Sequence, residues 1–579
     1  MSLSITRYIA YSALMTTQVQ LNVASANIAN ADTDGYTRKT ANQASAIYSG
    51  TSAGTTITSI TGSVDKYLLK SLMSATSTLG AASTTDSYAD RLQQLFGSVS
   101  GDEGTGTSIA NSIANLESAL LQLAQTPESE TLKTQAVSSL DDLATQLRET
   151  SAGIQSLRAD ADSAIGDAVA DVNELLETID ELNGQITQAK NTGLTADLED
   201  QRNAALLELS QLMDVTSFVN SSGQLQVYTT SGQVLVDSSV HKLNYSPAAT
   251  VSSSTSFDAI TVDGNSITSQ IKSGTIGALV EQRDDILPDV QAELDQLATS
   301  LAEALNSVHN DGTAVPPPSQ LTGTAQVSAA DALSGSGTVR FAVADTDGNL
   351  VSYQDLDLST YATVGDLITA IDGIGGLTAT LDAGGHVVIS ADNAAEGIAI
   401  NDMTSAVGSS QDGFSQWLGL NDMVTATGAS DFKVAGGLLT DPSRLAISLL
   451  SDTASLAVSD NVVTGGSFTI SDRLAALFAD KVEFASTGTL GTSKATFAGY
   501  AANIIAGVAS GAESAANAYS LATTNQTVIE ASISSQSGVN IDEETARLSE
   551  LENLYASATQ IISIVNAMFE SLLEAVQSA

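Results

Sequence analysis

The chain contains no cysteine among its 579 residues. This absence excludes disulfide bonds, thiol catalysis and cysteine-ligated zinc. Its three histidines, His241, His309 and His386, lie far apart and show no metal-ligand spacing such as H-x-x-x-H. We therefore expect neither a metal site nor a cofactor.

Basic residues are also scarce, because 21 lysines and arginines stand against 66 acidic residues and the formal net charge is −45. A surface this acidic repels nucleic-acid phosphates and anionic lipid heads. Aromatic residues make up only 4% of the chain, which favours aliphatic packing over large ring-filled pockets, and seven prolines leave room for long helices. We expect no nucleic-acid partner and no membrane partner.

No segment has the pattern of a signal peptide or a membrane span. The first 28 residues carry one early positive charge, Arg7, and polar residues interrupt any apolar core. Residues 495–512 are uncharged but contain Gly, Ser and Asn, whereas a span needs about 20 mostly apolar residues. If the protein is exported, we expect a route without a cleaved signal peptide.

Both ends of the chain show the seven-residue apolar repeat that is typical of a coiled coil. The N-terminal seam contains Leu14, Leu21 and Ile28, with Ala10, Thr17 and Ala24 between them. The C-terminal seam contains two rows of residues: Ile541, Leu548, Tyr555, Ile562, Phe569 and Val576 in one, and Leu551, Ala558, Val565 and Leu572 in the other. A helix on a globular core would bury a wider stripe, so we predict that the terminal helices pair as a coiled coil.

The periodicity changes between the two ends. Residues 105–213 are predicted to be mostly helical, and another helix begins near Pro288, so these segments form an antiparallel bundle. A period of two with Ser-Gly turns predicts strands near 215–275. After Pro316 the chain is rich in Gly, Ser, Thr and Asp, which favours strands and loops.

The predicted fold class is mainly α with inserted β-rich domains, an elongated α+β molecule. Three parts are predicted: a terminal coiled-coil domain from 1–45 and 530–579; a helical bundle domain from 46–310 and 476–529, with a β subdomain near 215–275; and one or two β-rich outer domains within 311–475.

Two short motifs resemble functional loops but lack the context that these loops need. Residues 50–54 match G-x-S-x-G, yet a β-like segment follows where a nucleophile elbow requires a helix, so a linker is favoured. Asp345 begins a calcium-like loop, but Leu350 and Leu356 occupy the positions of the EF-hand glycine and glutamate, so a hairpin turn is favoured. The sequence predicts no catalytic residue and no enzyme.

The segment from Asn27 to Arg38 follows the first seam and has the composition of a specialised helix end. Asn27 and Asn30 can satisfy orphan backbone groups, Gly35 can adopt a positive φ, and Tyr36 can anchor the chain again. With Arg38, these residues resemble the signature of the flagellar axial proteins, the rod, hook and hook-associated family. In that family the N-terminal helix ends in a motif of the form Asn-x-Ile-Ala-Asn…Thr-x-Gly-Tyr-x-Arg.

The region after residue 537 and the helical region from 115 to 185 are similar to hook-associated members of that family. The matching segments include Ser-Gly-Val-Asn-Ile-Asp-Glu-Glu at 537–544 and Leu-Ala-Gln-Thr-Pro at 123–127. Asp34 departs from the proline that many relatives carry at that position.

The resemblance implies a structural protein of the bacterial flagellum, located outside the cell, whose copies form a ring-like or helical zone between hook and filament. Its implied partners are the hook protein on one side, the next hook-associated junction protein on the other, and an export chaperone at the C-terminal helix. The implied assembly residues are Leu14, Leu21, Asn27, Ile28, Asn30, Gly35, Tyr36 and Arg38 near the start, and Ile541, Leu548, Leu551, Tyr555, Ile562, Val565, Phe569 and Leu572 near the end.

An alternative of a different class is a secreted adhesin or effector that uses a flagellar-type export signal. Its binding module would be the β-rich insertion. Assembly on hook ends, as opposed to binding to a host surface, separates the two hypotheses.

Overall fold

A computed structural model of the chain describes residues 3–33, 35–48, 51–97, 106–190, 193–464 and 469–577. Asp34 and Gly50, which the motifs above include, lie outside the described residues. The α-helices of the described residues are α1 Leu3–Ala29, α2 Lys66–Leu95, α3 Ile109–Gln125, α4 Glu130–Ala189, α5 Ala196–Leu212, α6 Gly274–Glu281, α7 Leu287–His309, α8 Val364–Asp372, α9 Phe414–Leu418, α10 Gly436–Thr440, α11 Thr469–Ala476, α12 Phe497–Ser537 and α13 Ile541–Gln577.

The strands of the described residues form small antiparallel sheets of two or three strands. They are β1 Lys39–Tyr48, β2 Thr51–Gly62, β3 Val215–Val219, β4 Leu225–Thr229, β5 Val234–Val236, β6 Leu243–Asn244, β7 Thr261–Val262, β8 Asn265–Ser266, β9 Gln320–Gln326, β10 Gly335–Ser336, β11 Thr338–Asp345, β12 Leu350–Asp357, β13 Leu377–Leu381, β14 His386–Ala391, β15 Glu396–Asn401, β16 Ala406–Val407, β17 Val424–Thr425, β18 Lys433–Val434, β19 Val482–Phe484 and β20 Ser493–Ala495. The prediction of a mainly α fold with inserted β-rich regions is confirmed.

The chain divides into two compact units. The first contains residues 1–88, 158–284 and 513–579, and the second contains residues 89–157 and 285–512. Each unit is therefore built from segments that are distant in sequence. The three-part domain division stays a prediction.

In the first unit, α1 packs against α13 and against the long β1–β2 hairpin. The hairpin pairs Lys39 with Gly62 and contains two β-bulges. Gly54 lies against α1, where an added Cβ would stand 1.9 Å from the hydroxyl oxygen of Ser12. Glycine is therefore required at this close approach, where the φ of 109° also disfavours other residues.

The β subdomain of the first unit, β3 to β8, is fixed to α4 by buried polar contacts. The backbone amide of Ala248, between β6 and β7, donates to Asp162 on α4 across 2.6 Å. Arg283, which follows the subdomain, donates to the same buried carboxylate across 2.9 Å. The ring of Phe257 lies 4.2 Å from the Arg283 guanidinium carbon. Asn183, also on α4, bonds both backbone polar groups of Leu225. Because each buried charge or amide has a partner, these contacts fix one placement of the subdomain.

The second unit has a core formed by β9, β11, β13, β14, β15, α8 and α9. Its buried members include Phe341, Ile371, Ile389 and Phe414, and the rings of Phe341 and Phe414 meet edge to face at 5.3 Å. The β11–β12 pair closes in a hairpin at Gly348, where the calcium-like motif lies. Asp345 accepts hydrogen bonds from the backbone of Asp347 and Asn349, so its carboxylate holds the turn.

The C-terminal end of helix α7 is covered by residues that follow it in the chain. Its last residue, His309, is buried, and its Nε2 accepts a hydrogen bond of 2.8 Å from the Ala446 amide. The His309 Nδ1 faces the carbonyl oxygen of Asn421. Burial lowers the pKa of His309 to about 4, so the imidazole is neutral at neutral pH.

Candidate functional site

The N-terminal seam on α1 buries its small residues. Ala10, Thr17 and Ala24, which lie seven residues apart, are buried, and Leu14, Leu21 and Ile28 beside them are half-buried. Small side chains at the buried positions allow a close approach of the facing helix. The facing helix is α13.

The C-terminal seam on α13 follows the same seven-residue spacing. Leu551, Ala558 and Val565 are buried, and the neighbouring row of Leu548, Tyr555, Ile562 and Phe569 is half-buried. Ile541 and Leu572, at the two ends of the seam, are exposed. The structure therefore brings the central part of both seams together and leaves the helix ends open.

A second apolar stripe lies beside the packed seam, and the described residues do not cover it. On α13 the stripe contains Leu554, Ile561, Ile564 and Met568, and on α1 it contains Ile5, Tyr8 and Met15. All seven side chains are exposed. We call this set the open face. An apolar surface of this kind on a helix pair indicates a protein interaction site.

Asn27 lies at the end of α1 and is only 1% exposed. Its Oδ1 accepts hydrogen bonds from the Lys39 backbone amide at 2.9 Å and from the Tyr36 hydroxyl at 3.0 Å. Its Nδ2 donates to the Lys39 carbonyl at 3.0 Å and to Glu544 at 3.1 Å. All four hydrogen-bonding positions of the amide are thus used, which fixes the turn after α1.

Glu544 lies in the first turn of α13 and is 1% exposed. Its Oε1 accepts from the Nε of Arg38 at 2.7 Å, and the Arg38 backbone amide donates to the Ser537 carbonyl at 2.9 Å. The buried carboxylate therefore has a charged partner and an amide partner. We call Asn27, Tyr36, Arg38, Lys39 and Glu544 the terminal clamp, because they join the end of α1 to the start of α13.

The role of Glu544 was not predicted. Glu544 stands seven residues before Leu551, at a position where the heptad pattern requires an apolar residue. The heptad register could have indicated this role, because it places the Glu544 carboxylate in the buried seam, and a buried charge in a helix seam needs a specific partner. The partner comes from residues more than 500 positions earlier, which the pattern of one helix does not identify.

The other side of the terminal clamp reaches α5. The ammonium of buried Lys39 bonds the Ala196 carbonyl at 3.0 Å and pairs with Asp200, which also accepts from the Thr37 amide at 3.0 Å. Burial, followed by the charges of Asp197, Asp200 and Glu544, raises the pKa of Tyr36 to about 12. The Tyr36 hydroxyl therefore stays protonated and donates to Asn27 at every physiological pH.

Two further residues of the predicted motif shape the turn without joining the clamp. Asn30 donates to the Ala26 carbonyl at 2.9 Å and thereby caps the last turn of α1. Gly35 has a φ of 74°, a backbone conformation that glycine adopts without strain. The motif thus combines a helix stop, a turn and a set of buried anchors.

Among the described residues, no group of three or more His, Asp or Glu side chains is placed to hold a metal ion. The helical stretch 497–577 is long and apolar enough to cross a membrane by length and composition alone. Length and composition are weak evidence for a membrane span, because an assembly helix with one uncovered apolar side has the same length and composition. The arrangement of clamp, seam and open face is suited to joining protein chains.

Two family models match the chain. The model of the flagellar hook-associated protein FlgK helical domain matches residues 89–323, and the model of the flagella basal body rod protein matches residues 8–37. The second match covers most of α1 and most of the residues of the motif. These matches define the class of protein that the chain resembles, the flagellar axial proteins.

Within that class, the chain is similar to flagellar hook-associated protein 1. It is 25% identical to that protein of Escherichia coli K12 over 97% of this chain and 98% of the relative. It is also 25% identical to that of Bacillus subtilis 168, over 52% of this chain and 66% of the relative. The structure of the flagellar hook junction protein FlgK from Burkholderia pseudomallei shares the fold, with 18% identity, a TM-score of 0.50, and coverage of 80% of this chain and 98% of that one.

Proposed function

We propose that the protein is a structural component of the bacterial flagellum that forms the junction zone between hook and filament. The α1–α13 pair carries this proposal, because the terminal clamp fixes the two helices while the open face is left without a cover among the described residues. An apolar face that the chain itself does not cover is an element for joining copies. The similarity to flagellar hook-associated protein 1 along nearly the whole chain supports the same function.

Copies of the chain assemble into a ring-like or helical zone, with the hook protein on one side and the next hook-associated junction protein on the other. The exposed stripe on α13 also suits an export chaperone, which would cover Leu554, Ile561 and Met568 before assembly. Export then proceeds through the flagellar type III apparatus without a cleaved signal peptide. We assign the chain no catalytic activity and, because of its charge of −45, no nucleic-acid or membrane partner.

The predicted domain division fits this function as a working proposal. The terminal coiled-coil domain, 1–45 with 530–579, makes the axial contacts, and the β-rich residues within 311–475 are not needed for them. A deletion that tests this proposal must keep residues 421–446, because Asn421 and Ala446 at the two ends of this segment contact His309 of α7. Thr324 and Gly419 are hydrogen-bonded neighbours, so a short Gly/Ser linker can replace residues 325–418. We expect the shortened chain to retain junction formation.

The direct test of the proposed function changes the open face without changing a buried position. Ile561 is 45% exposed, so Ile561→Asp leaves the monomer folded but places a carboxylate where assembly would bury it. In a strain that lacks the chain, the wild type should restore filaments and label the hook–filament junction, and Ile561→Asp should do neither although it is exported.

The matched control is Val458→Asp, which changes an exposed valine of the second unit in the same way. This variant should restore filaments as the wild type does. An exported wild-type chain that never occurs at hook ends, or that binds host surfaces instead, would overturn the proposal in favour of the adhesin alternative.

A further inference from the structure

The first unit contains a groove of about 960 Å³ between α2, α5 and the β3–β4 hairpin. Its floor is apolar and includes Met73, Leu206 and Leu225, all of which are buried. Phe218 and Val219 of β3 stand at its edge. The groove is large enough for several side chains of another molecule.

The charge of the groove is opposite to the charge of the chain. Its lining contains four cationic and two anionic side chains: Lys66, Lys70, Lys190, Arg202, Glu199 and Asp214. The chain has only 21 basic residues against 66 acidic ones. A groove with more cations than carboxylates is therefore an exception on this molecule, and it favours an acidic occupant.

The two carboxylates of the groove already have local partners. Asp214 accepts from the backbone amide of Lys272 at 3.1 Å and from the Thr230 hydroxyl at 2.8 Å. Glu199 accepts from the Thr195 hydroxyl at 2.9 Å. Both carboxylates thus bond neutral donors, and among the described residues neither forms an ion pair with the lysines on α2.

The cations of the groove are less well compensated than its carboxylates. Within the described part of the chain, Lys66 and Lys70 form no ion pair; they lie one helical turn apart on α2. Arg202 is 4% exposed and bonds only neutral oxygens, those of Asn183 at 2.9 Å and of Gly223 at 3.0 Å. Its buried Nε has no hydrogen-bond partner. An unpartnered buried guanidinium nitrogen is costly and points to a missing acceptor.

The edge of the groove adds an apolar contact surface. The ring of Phe218 is stacked on Tyr228 at a centroid distance of 5.5 Å, yet the side chain is 52% exposed. A rigid exposed aromatic residue beside unpaired cations suits an occupant that carries both apolar side chains and carboxylates. A small inorganic anion would leave the apolar surface uncovered.

We propose that this groove binds an acidic, apolar segment of a second copy of the chain. The charge complementarity is direct, because the net charge of −45 leaves most of the surface of each copy acidic. This inference rests on the proposed function, since assembly places copies side by side at high local concentration. The contact is separate from the open face, because none of the seven residues of that face lines the groove.

The test uses site-specific photo-crosslinking in flagella assembled from the full-length chain. The crosslinker p-benzoylphenylalanine replaces Phe218 in one strain and Tyr67 in a control strain. Tyr67 is an exposed residue of α2 that does not line the groove. We expect irradiation to give a covalent dimer from position 218 only, with the crosslinked peptide in an acidic segment of the second copy. Adducts only within one chain, or to a different protein, would overturn the inference.

A pair of charge variants tests the electrostatic part. Lys66→Glu with Lys70→Glu reverses the unpaired cations. The control Lys433→Glu with Lys481→Glu makes the same change in net charge at exposed lysines of the second unit. We expect the groove variant to lower the dimer yield at least tenfold and the control to lower it less than twofold. An unchanged yield in the groove variant contradicts the inference.

The failure of this inference is distinguishable from the failure of the proposed function. Absence of the chain from hook ends would refute the proposed function, whereas a chain present there without the dimer refutes only the groove contact.

Discussion

Helices α7 and α13 are both long and amphipathic, but they bury very different shares of their residues. Helix α7 has 23 residues and buries twelve of them, including the polar His309 and Gln291, each of which has a hydrogen-bond partner. Helix α13 has 37 residues and buries four: Glu544, Leu551, Ala558 and Val565. Other segments of the same chain cover the buried face of α7. They cover α13 only at the clamp and along one narrow seam.

The difference shows how one chain can separate folding from assembly. A helix that other segments of its own chain cover is stable in the monomer, because most helical stability comes from packing of the apolar face. A helix with one covered and one open apolar stripe depends on other chains for the remainder. The terminal helices therefore act as assembly elements, and α7 acts as part of the folded body.

The largest effect is expected in the core of the second unit. Phe341→Ala removes a fully buried ring and should lower the free energy of unfolding by about 3–5 kcal/mol. In the seam, Val565→Ala should cost only about 1–2 kcal/mol, because it removes two methyl groups. Trp417, the only tryptophan of the chain, packs against the core and reports unfolding of the second unit by fluorescence. Hydrogen exchange along α13 reports opening of the seam in the first unit. Equal losses at the two sites would contradict the comparison.

The next effect concerns pH and His309. Its folded pKa of about 4 lies below its ordinary value of 6.5, so the unfolded chain binds the proton more readily. The associated stability is present above pH 6.5 and is lost as pH falls towards 4, by about 3 kcal/mol in total. The Asp402 carboxyl group changes the free energy of unfolding in the opposite direction. Burial raises its pKa to about 7, so its protonation as the pH falls stabilises the folded state.

The histidine contribution is therefore measured as a difference between proteins. The stability of the wild type relative to His309→Gln, followed by denaturant unfolding with Trp417 fluorescence, should decline between pH 6.5 and 4. The control is His386→Gln on β14, where the ring is only half-buried and bonds Asp382 at the surface. If the stability difference between the wild type and His309→Gln does not depend on pH, the His309 ring is not buried as the structure places it.

A smaller but still large effect is expected at the terminal clamp. Asn27→Leu leaves the Lys39 amide, the Tyr36 hydroxyl and Glu544 without their amide partner. The free energy of local opening at residues 27–39 should fall by about 2–3 kcal/mol, as measured by hydrogen exchange. Asn30→Ala removes two exposed bonds, those to the Ala26 carbonyl and from the Thr33 hydroxyl, and should change this free energy by less than about 0.5 kcal/mol. If both variants behave alike, the clamp does not hold the helix pair.

The smallest effect is expected from surface charge on α13. Glu550 and Glu552 are exposed and form no ion pair among the residues described. Changing both to glutamine should alter monomer stability by less than about 0.5 kcal/mol and should only slow assembly, less so at high salt. Timed recovery of motility after induction measures the rate. Complete failure of this variant to assemble would mean that charge, and not the apolar face, holds the copies together.

The sequence predicted the fold class and the two terminal seams because heptad spacing is a property of a single segment. The same reasoning found Asn27, Tyr36 and Arg38 from their composition and family resemblance. It did not predict the β1–β2 hairpin, since Thr, Ser and Ala fill most of its positions and give no apolar alternation. Such strands are set by packing against α1 and not by their own pattern.

The parts of the site that were missed depend on contacts between distant segments. Glu544 meets Asn27 and Arg38, and Lys39 meets Asp200, across sequence separations of more than 150 residues. No local pattern encodes those pairs. The groove lined by Lys66 and Arg202 was missed for the same reason, because three separate elements build it.

Hydrogen exchange on the full chain, as free monomer and as assembled flagella, tests the central claim most directly. In the monomer, exchange should be fast along α1 before the clamp and along α13 beyond it, and slow across residues 130–190. In assembled flagella the terminal helices should become as protected as residues 130–190. Equal protection of the terminal helices and residues 130–190 in the monomer, or no gain of protection in flagella, would contradict the claim that other chains complete the terminal helices.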